Sequence, residues 1–260
     1  MGRYFIELSF DGSEYVGWQA QLNGMGVQQV LNGKLSTIFR EGVETVGCGR
    51  TDAGVHASYF VAHFNASATD IDLEKAKYQL NKILPSSIAV FSISPVSPNA
   101  HARFDAVERT YRYYLSHYKN PFNSGFAYYF SQHVDENKMN IAADLLLQMN
   151  DFTSFAKLHS DNKTNICKVY KAHWHRENEN LLVFTITADR FLRNMVRAIV
   201  GTLIDVGRGR ISPEQLIEIA EEKNRGAAST SAPALGLFLE DIRYPSTIFN
   251  RTRTNTQSLE

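Results

Sequence analysis

Three short stretches of this chain hold side chains that could do chemistry together. The first, Gly47–Ala57, reads GCGRTDAGVHA and sets Arg50, Thr51 and Asp52 between glycines, with the apolar run YFVAHF close behind. Glycine permits sharp turns and positive φ, so a bend here can push the Asp52 carboxylate into a cleft. A tight turn with a local Arg–Asp pair fits the same residues. The second stretch, HARFDAVERTYRYYLSHY from His101, interleaves Arg103, Arg109 and Arg112 with Tyr111, Tyr113, Tyr114 and Tyr118. Aromatic faces beside guanidiniums suit an unstacked nucleotide, although a half-buried strand of packing tyrosines has the same pattern. In the third, FLRNMVRAIVG, Arg197 lies between Val196 and Ile199, near an apolar stripe. An arginine withdrawn from water needs an acidic partner; one that snorkels from a helix edge does not.

Other chemistries lack their residues. There is no GxxxxGK[ST] phosphate loop and no HExxH zinc pair. GCGRTDAG is no dinucleotide loop, because Arg50 and Asp52 stand where small residues must approach a pyrophosphate. His173 and His175 would share one strand face but have no third ligand nearby in sequence, and His56 and His63 read as structural. The sequence implies no metal and no cofactor. Cys48 and Cys167 form neither a disulfide framework nor a CxxC pair, which suits free thiols in a reducing cytoplasm.

The frame that positions these residues is legible in the periodicity. RYFIELSFDG alternates, with Tyr4, Ile6, Leu8 and Phe10 on one face of a strand that ends in an Asp-Gly turn. GVQQVLNGKLSTIF carries Val27, Val30, Leu31, Leu35 and Ile38 at helical spacing. The Asp52 motif and YFVAHF predict two strands, DLEKAKYQLNKIL a helix capped by Asp72, and SIAVFSI a closing strand. The order β-α-β-β-α-β is ferredoxin-like. A looser second half follows: strand RTYRYYLSHY, helix NKMNIAADLLLQM, strands ICKVYKAHW and LLVFTITA, and helix FLRNMVRAIVGTLIDVG. A short helix with Ser212 and Gln215 in a capping box and the last strand GLFLEDI complete it. The expectation is an α+β protein in two related halves, residues 1–105 and 106–245, with 246–260 as a loose tail.

Hydrophobic residues make up 43% and charged ones 21% of 260 residues, which fits a soluble globular protein. No apolar run reaches the roughly 18 residues of a membrane span, and MGRYFIELSF lacks a secretory leader's pattern. With 27 Lys/Arg against 27 Asp/Glu the chain is formally neutral, yet charge is local. From Arg190 to Arg210 run five arginines and the single acid Asp205, whereas Glu214, Glu218, Glu221 and Glu222 gather just beyond.

In this order and spacing, GRTDAGVHA, HARFDA with RTYRYY, and FLRNMVRAIVGTL resemble the tRNA pseudouridine synthase A family. YVGWQAQ at Tyr15–Gln21, VQQVL at Val27, DFTSF at Asp151 and SAPALGLFLEDI from Ser231 are similar too, so the likeness covers about residues 3 to 242. Ala100 and Ala156 depart from it, standing where relatives often carry an aromatic and an arginine. The resemblance implies two ferredoxin-like (RRM-like) halves joined through a mixed, mainly antiparallel sheet, with helices on one face and a central cleft. It implies isomerisation of uridine to pseudouridine at positions 38, 39 and 40 of the anticodon stem-loop of tRNA, without cofactor or metal, by a cytoplasmic homodimer whose two subunits share one tRNA. It makes Asp52 the nucleophile and Arg197 its partner. Tyr111 would stack on the target uracil and help remove the C5 proton, and Arg50 would stand beside the displaced base. Arg103, Arg109 and Arg112, with Arg208 and Arg210, are expected to clamp phosphates.

An ionised carboxylate can attack C1′ or C6, or assist proton loss from C2′, and the residues do not choose among these routes. A nearby cation keeps such a group charged in a cleft. Two rivals are a non-catalytic RNA-binding protein on the same fold, which leaves the glycine-framed Asp52 unexplained, and an aspartyl-nucleophile phosphoesterase. The second would want a further acid beside Asp52, where the chain has Ala53 and Gly54.

Overall fold

The computed structural model describes residues 1–21, 24–67, 71–158 and 163–249. The first half runs β1 (Gly2–Phe10), α1 (Val27–Phe39), β2 (Val46–Gly47), β3 (His56–Ala66), α2 (Leu73–Ile83) and β4 (Ile88–Val96). The second runs β5 (Glu108–Ser116), β6 (Tyr128–Tyr129), α3 (Glu136–Leu145), β7 (Val169–Asn178), β8 (Leu181–Ala188), α4 (Met195–Gly207), α5 (Gln215–Glu221) and β9 (Leu237–Arg243). Caps sit where the side chains supply them: Asp72 accepts the Lys75 amide at 3.0 Å and Asp135 that of Lys138 at 3.1 Å. Ser212 and Gln215 form the expected reciprocal box, 2.7 and 3.4 Å.

One sheet carries both halves in the order β4-β1-β3-β9-β5-β8-β7. It is mixed and mainly antiparallel, with parallel pairing of β3 to β9 and of β5 to β6. Within the second half, β9-β5-β8-β7 places the fourth long strand beside the first, then the third, then the second. The first half follows the same plan, but its second strand, β2, is two residues long. It pairs Val46 with His63 and Gly47 with Ala62, while β9 occupies the other end of the same β3 edge, pairing at His56 and Ala57. Competition for one edge explains why the expected strand at the Asp52 motif is so short.

Two apolar cores lie along the sheet. Tyr4, Ile6, Leu8 and Phe10 pack with Leu31 and Leu35 of α1 and Leu80 of α2 in the first. Tyr113 and Leu115, with α3 and α4, fill the second. Strand β9 serves both, Leu237 in the second core and Leu239 and Ile242 in the first. Tyr111 packs against both. The expected tail is not loose from its start: Phe249 packs edge-on against Phe5 and Tyr244, at 5.7 and 5.6 Å, and residues 250–260 lie outside the described residues. The helix expected from Phe191 begins at Met195, because Asn194 turns the chain with φ 67°. Among the described residues no helix is long and apolar enough to cross a membrane.

Candidate active site

A cleft of about 730 Å³ opens where the two halves meet at β9. Asp52 reaches it from the loop between β2 and β3, and the preceding YVGW segment fixes that loop. The Thr51 hydroxyl accepts the Trp18 amide at 3.0 Å, and the Gly54 amide donates to the Tyr15 carbonyl at 3.2 Å. Trp18 is itself buried and stacked on Phe60, centroids 4.1 Å apart. Gly54 takes φ +76°, a conformation that side-chain-bearing residues rarely adopt. The bend expected at the glycines is therefore present, and it is braced against the first core.

Two guanidiniums hold the carboxylate. Arg193 Nε lies 3.4 Å from Asp52 Oδ1 and Arg197 Nη1 3.5 Å from Oδ2, with the Asp52 side chain 19% exposed. Arg197 is not free to swing, since its Nε donates to the Ala232 carbonyl at 2.8 Å and the Ala232 amide donates back to the Arg197 carbonyl at 2.9 Å. That contact requires Gly201 on the same helix: a Cβ there would stand 2.0 Å from the Thr230 carbonyl oxygen. Asn194 Nδ2 ties the helix start to Ser231 Oγ at 2.8 Å.

Tyr111 projects into the same cleft, its ring edge-on to Phe191 at 5.0 Å and 85°. Among the described residues its hydroxyl makes no hydrogen bond. Burial, then the neighbouring Cys48 and Asp52, pushes the phenol well above its ordinary pKa, so it is neutral. Burial also pushes the Cys48 thiol up to about 12, which leaves it no nucleophile.

Arg50 and Arg103 line the rim as expected, and both are exposed. Partial burial, then the crowding of Arg50, Arg109 and Arg190, lowers the Arg103 pKa from its ordinary value. Such uncompensated positive charge invites an anion. Arg109 lines the cleft differently. Its guanidinium donates to the carbonyls of Ala106, Asp189, Cys48 and Arg103 at 2.6–3.2 Å through Nη1 and Nη2, so four of its five N–H donors tie the floor together.

Three expected phosphate clamps are not in the cleft. Arg112 alternates with Tyr111 along β5 and therefore points through the opposite sheet face, where it meets Glu240 at 3.3 Å. Arg208 and Arg210 sit at the far end of α4, roughly 16 Å of helix beyond Arg197, and both pair with Asp205 at 3.2 Å. Conversely, Arg193, Arg190 and Lys163 line the cleft. The first two belong to the arginine-rich run but have no periodic pattern to mark their direction.

The histidines are structural. His56 Nδ1 accepts the Gly12 amide at 3.0 Å and its Nε2 faces the Leu235 carbonyl at 3.2 Å. His63 Nδ1 accepts the Ala102 amide at 3.1 Å. Ala156 is buried. Among the described residues no three His, Cys, Asp or Glu side chains gather to hold a metal.

Comparison with known proteins gives one consistent result. Residues 8–105 and 142–245 match the family described as tRNA pseudouridine synthase. The tRNA pseudouridine synthase A of Bacteroides fragilis is 52% identical over 247 residues, covering 95% of this chain and 98% of the relative. That of Parabacteroides distasonis is 50% identical, covering 96% and 98%, and that of Clostridium acetobutylicum 36%, covering 92% and 98%.

Proposed function

The chain belongs to the tRNA pseudouridine synthase family and isomerises uridine to pseudouridine in tRNA, and we propose that it does so in the anticodon stem-loop, at positions 38 to 40, with Asp52 as the attacking group. The observation that carries this reading is a carboxylate gripped by Arg193 and Arg197 in a cleft shared with Tyr111. The reaction breaks the bond from N1 to C1′, turns the uracil in place, and joins C5 to C1′ with loss of the C5 proton. Paired guanidiniums orient the carboxylate, the group needed at C1′ or C6 or to draw the C2′ proton. The Tyr111 ring offers the uracil a stacking face. Its phenol is not ionised at rest, so in taking the C5 proton it passes its own to the neighbouring Asp52 carboxylate once that group is free again. Arg50 reaches the displaced base, and Arg103, Arg190 and Lys163 meet the flanking phosphates. Arg109 supports the floor beneath them.

A second copy of the chain extends the RNA-binding surface, and sedimentation with and without tRNA reads that stoichiometry. The buried thiols of Cys48 and Cys167 suit a reducing cytoplasm.

The test is tritium release from tRNA labelled at uridine C5. Asp52→Asn is expected to lower turnover by roughly 10⁴-fold or more, the scale of losing an attacking group, with tRNA affinity retained. Wild-type turnover in that variant sinks the assignment. Tyr111→Phe keeps the ring and is expected to bind tRNA normally while turning over about 100-fold or more slowly.

A further inference from the structure

We infer that Phe104 is the residue that stacks into the gap left when the target uridine swings out of its helix. This rests on the reading above. The side chain is 74% exposed, an unusual position for a phenylalanine, and it stands at the mouth of the arginine-lined cleft. Isolated exposed apolar residues are ordinary, but this one is presented by a rigid turn.

His101 builds that turn. Its Nδ1 accepts the amides of Arg103 and Phe104 at 3.1 and 3.3 Å, and its own amide donates to the Asp105 carboxylate at 2.7 Å. Behind it, the Ala102 amide donates to His63 Nδ1, and its carbonyl accepts the Tyr244 hydroxyl at 2.5 Å. Arg109 holds the Arg103 carbonyl at 2.6 Å. The His101 ring lies against the Phe104 ring, 4.2 Å between centroids, and the Arg103 guanidinium stands 5.9 Å away. So the ring is backed on one side, flanked by cation and left bare elsewhere.

Everting a paired nucleotide forfeits stacking and pairing, and an inserted aromatic ring recovers part of the stacking. Arg103 on the same turn is placed to meet a phosphate as the ring enters. A flexible loop would lose ordering entropy on insertion; a prebuilt one loses little.

The test compares wild type, Phe104→Ala and Phe104→Trp on one tRNA transcript in two forms. In one the target uridine faces adenine, and in the other it faces cytidine, so that eversion is easier. Single-turnover rate and tRNA affinity are read for each. Phe104→Ala is expected to slow the paired substrate by roughly 5- to 150-fold, the range of one base–aromatic stack. The mismatched substrate should slow much less, and Phe104→Trp should restore the paired rate. Equal losses on both substrates, no loss, or a loss explained by a lowered Tm or by dissociation into monomers overturns the role of Phe104. Absence of pseudouridine from wild type on either transcript would instead sink the proposed function, and this inference with it.

Discussion

Arg193 and Arg197 grip one carboxylate, yet they serve it differently. Arg193 is 46% exposed on its side chain and comes from the turn before α4, so Arg193→Ala should leave Tm unchanged and lower kcat by about 10-fold or more. Arg197 also anchors the Ala232 backbone. Arg197→Ala should therefore cost stability as well as turnover, and denaturant midpoints beside rates separate the two variants. A second residue-level effect concerns His63, whose pKa burial lowers to about 4, with His101 and Arg3 adding to the shift and Asp105 opposing it. The unfolded imidazole titrates near ~6.5. Between those values the unfolded chain binds the extra proton, so stability is full above about pH 6.5 and falls as pH drops towards 4, by at most about 1.4 kcal/mol per pH unit. His63→Gln should flatten that slope in denaturation curves at pH 4.5, 5.5 and 7. At this scale the apolar stripe around Arg197 asked only for some acid or for a snorkelling side chain; that the acid is Asp52 was implied by the family resemblance, and the two side chains do meet at 3.5 Å. Arg112 was misplaced although alternation from Tyr111 already put it on the other face. Arg193 was beyond reach, since its direction depends on the positive φ of Asn194, which bulky sequence patterns do not announce.

Among the elements, α4 does the most positioning. Its apolar face is buried from Met195 to Val206, and Gly201 lets the 230–232 segment lie against it. Gly201→Ala puts a methyl where the Thr230 carbonyl stands, and is expected to destabilise by about 1–3 kcal/mol. It should also lower kcat in the fraction still folded, because Ala232 is pushed off Arg197; calorimetry beside single-turnover rates detects both. The periodicity gave away α4, α1, α2 and the long strands, each with its own repeat of apolar residues. It could not give the length of β2, since the strand that displaces it along β3 arrives from the other end of the chain. Nor does the SAPALG stretch, which reads as loop, signal locally that it buttresses a helix.

For the molecule as a whole, formal neutrality hides a cleft with six arginines and Lys163 against Asp52 and Asp189. Arg109 is mostly spent on carbonyls, Arg193 and Arg197 on Asp52 and Arg50 on the base, which leaves Arg103, Arg190 and Lys163 for phosphates. The logarithm of tRNA affinity should then fall with the logarithm of salt with a slope of about 2–3. Arg103→Ala should reduce the slope by about one, while Arg112→Ala and Arg210→Ala leave it alone; filter binding across a salt series reads all three. The two-fold architecture was legible as a repeated strand–helix order, but the seam was not, because pairing between β3 and β9 joins residues far apart in sequence. That seam sets a clock on biogenesis. Asp52 is synthesised early, but the strand that closes the cleft over it follows some 185 residues later, about 10–40 s at elongation rates of about 5–20 residues per second. A chain ended before Leu237 lacks the strand that joins the two halves, and such a truncation is expected to form no pseudouridine in tRNA incubated with it.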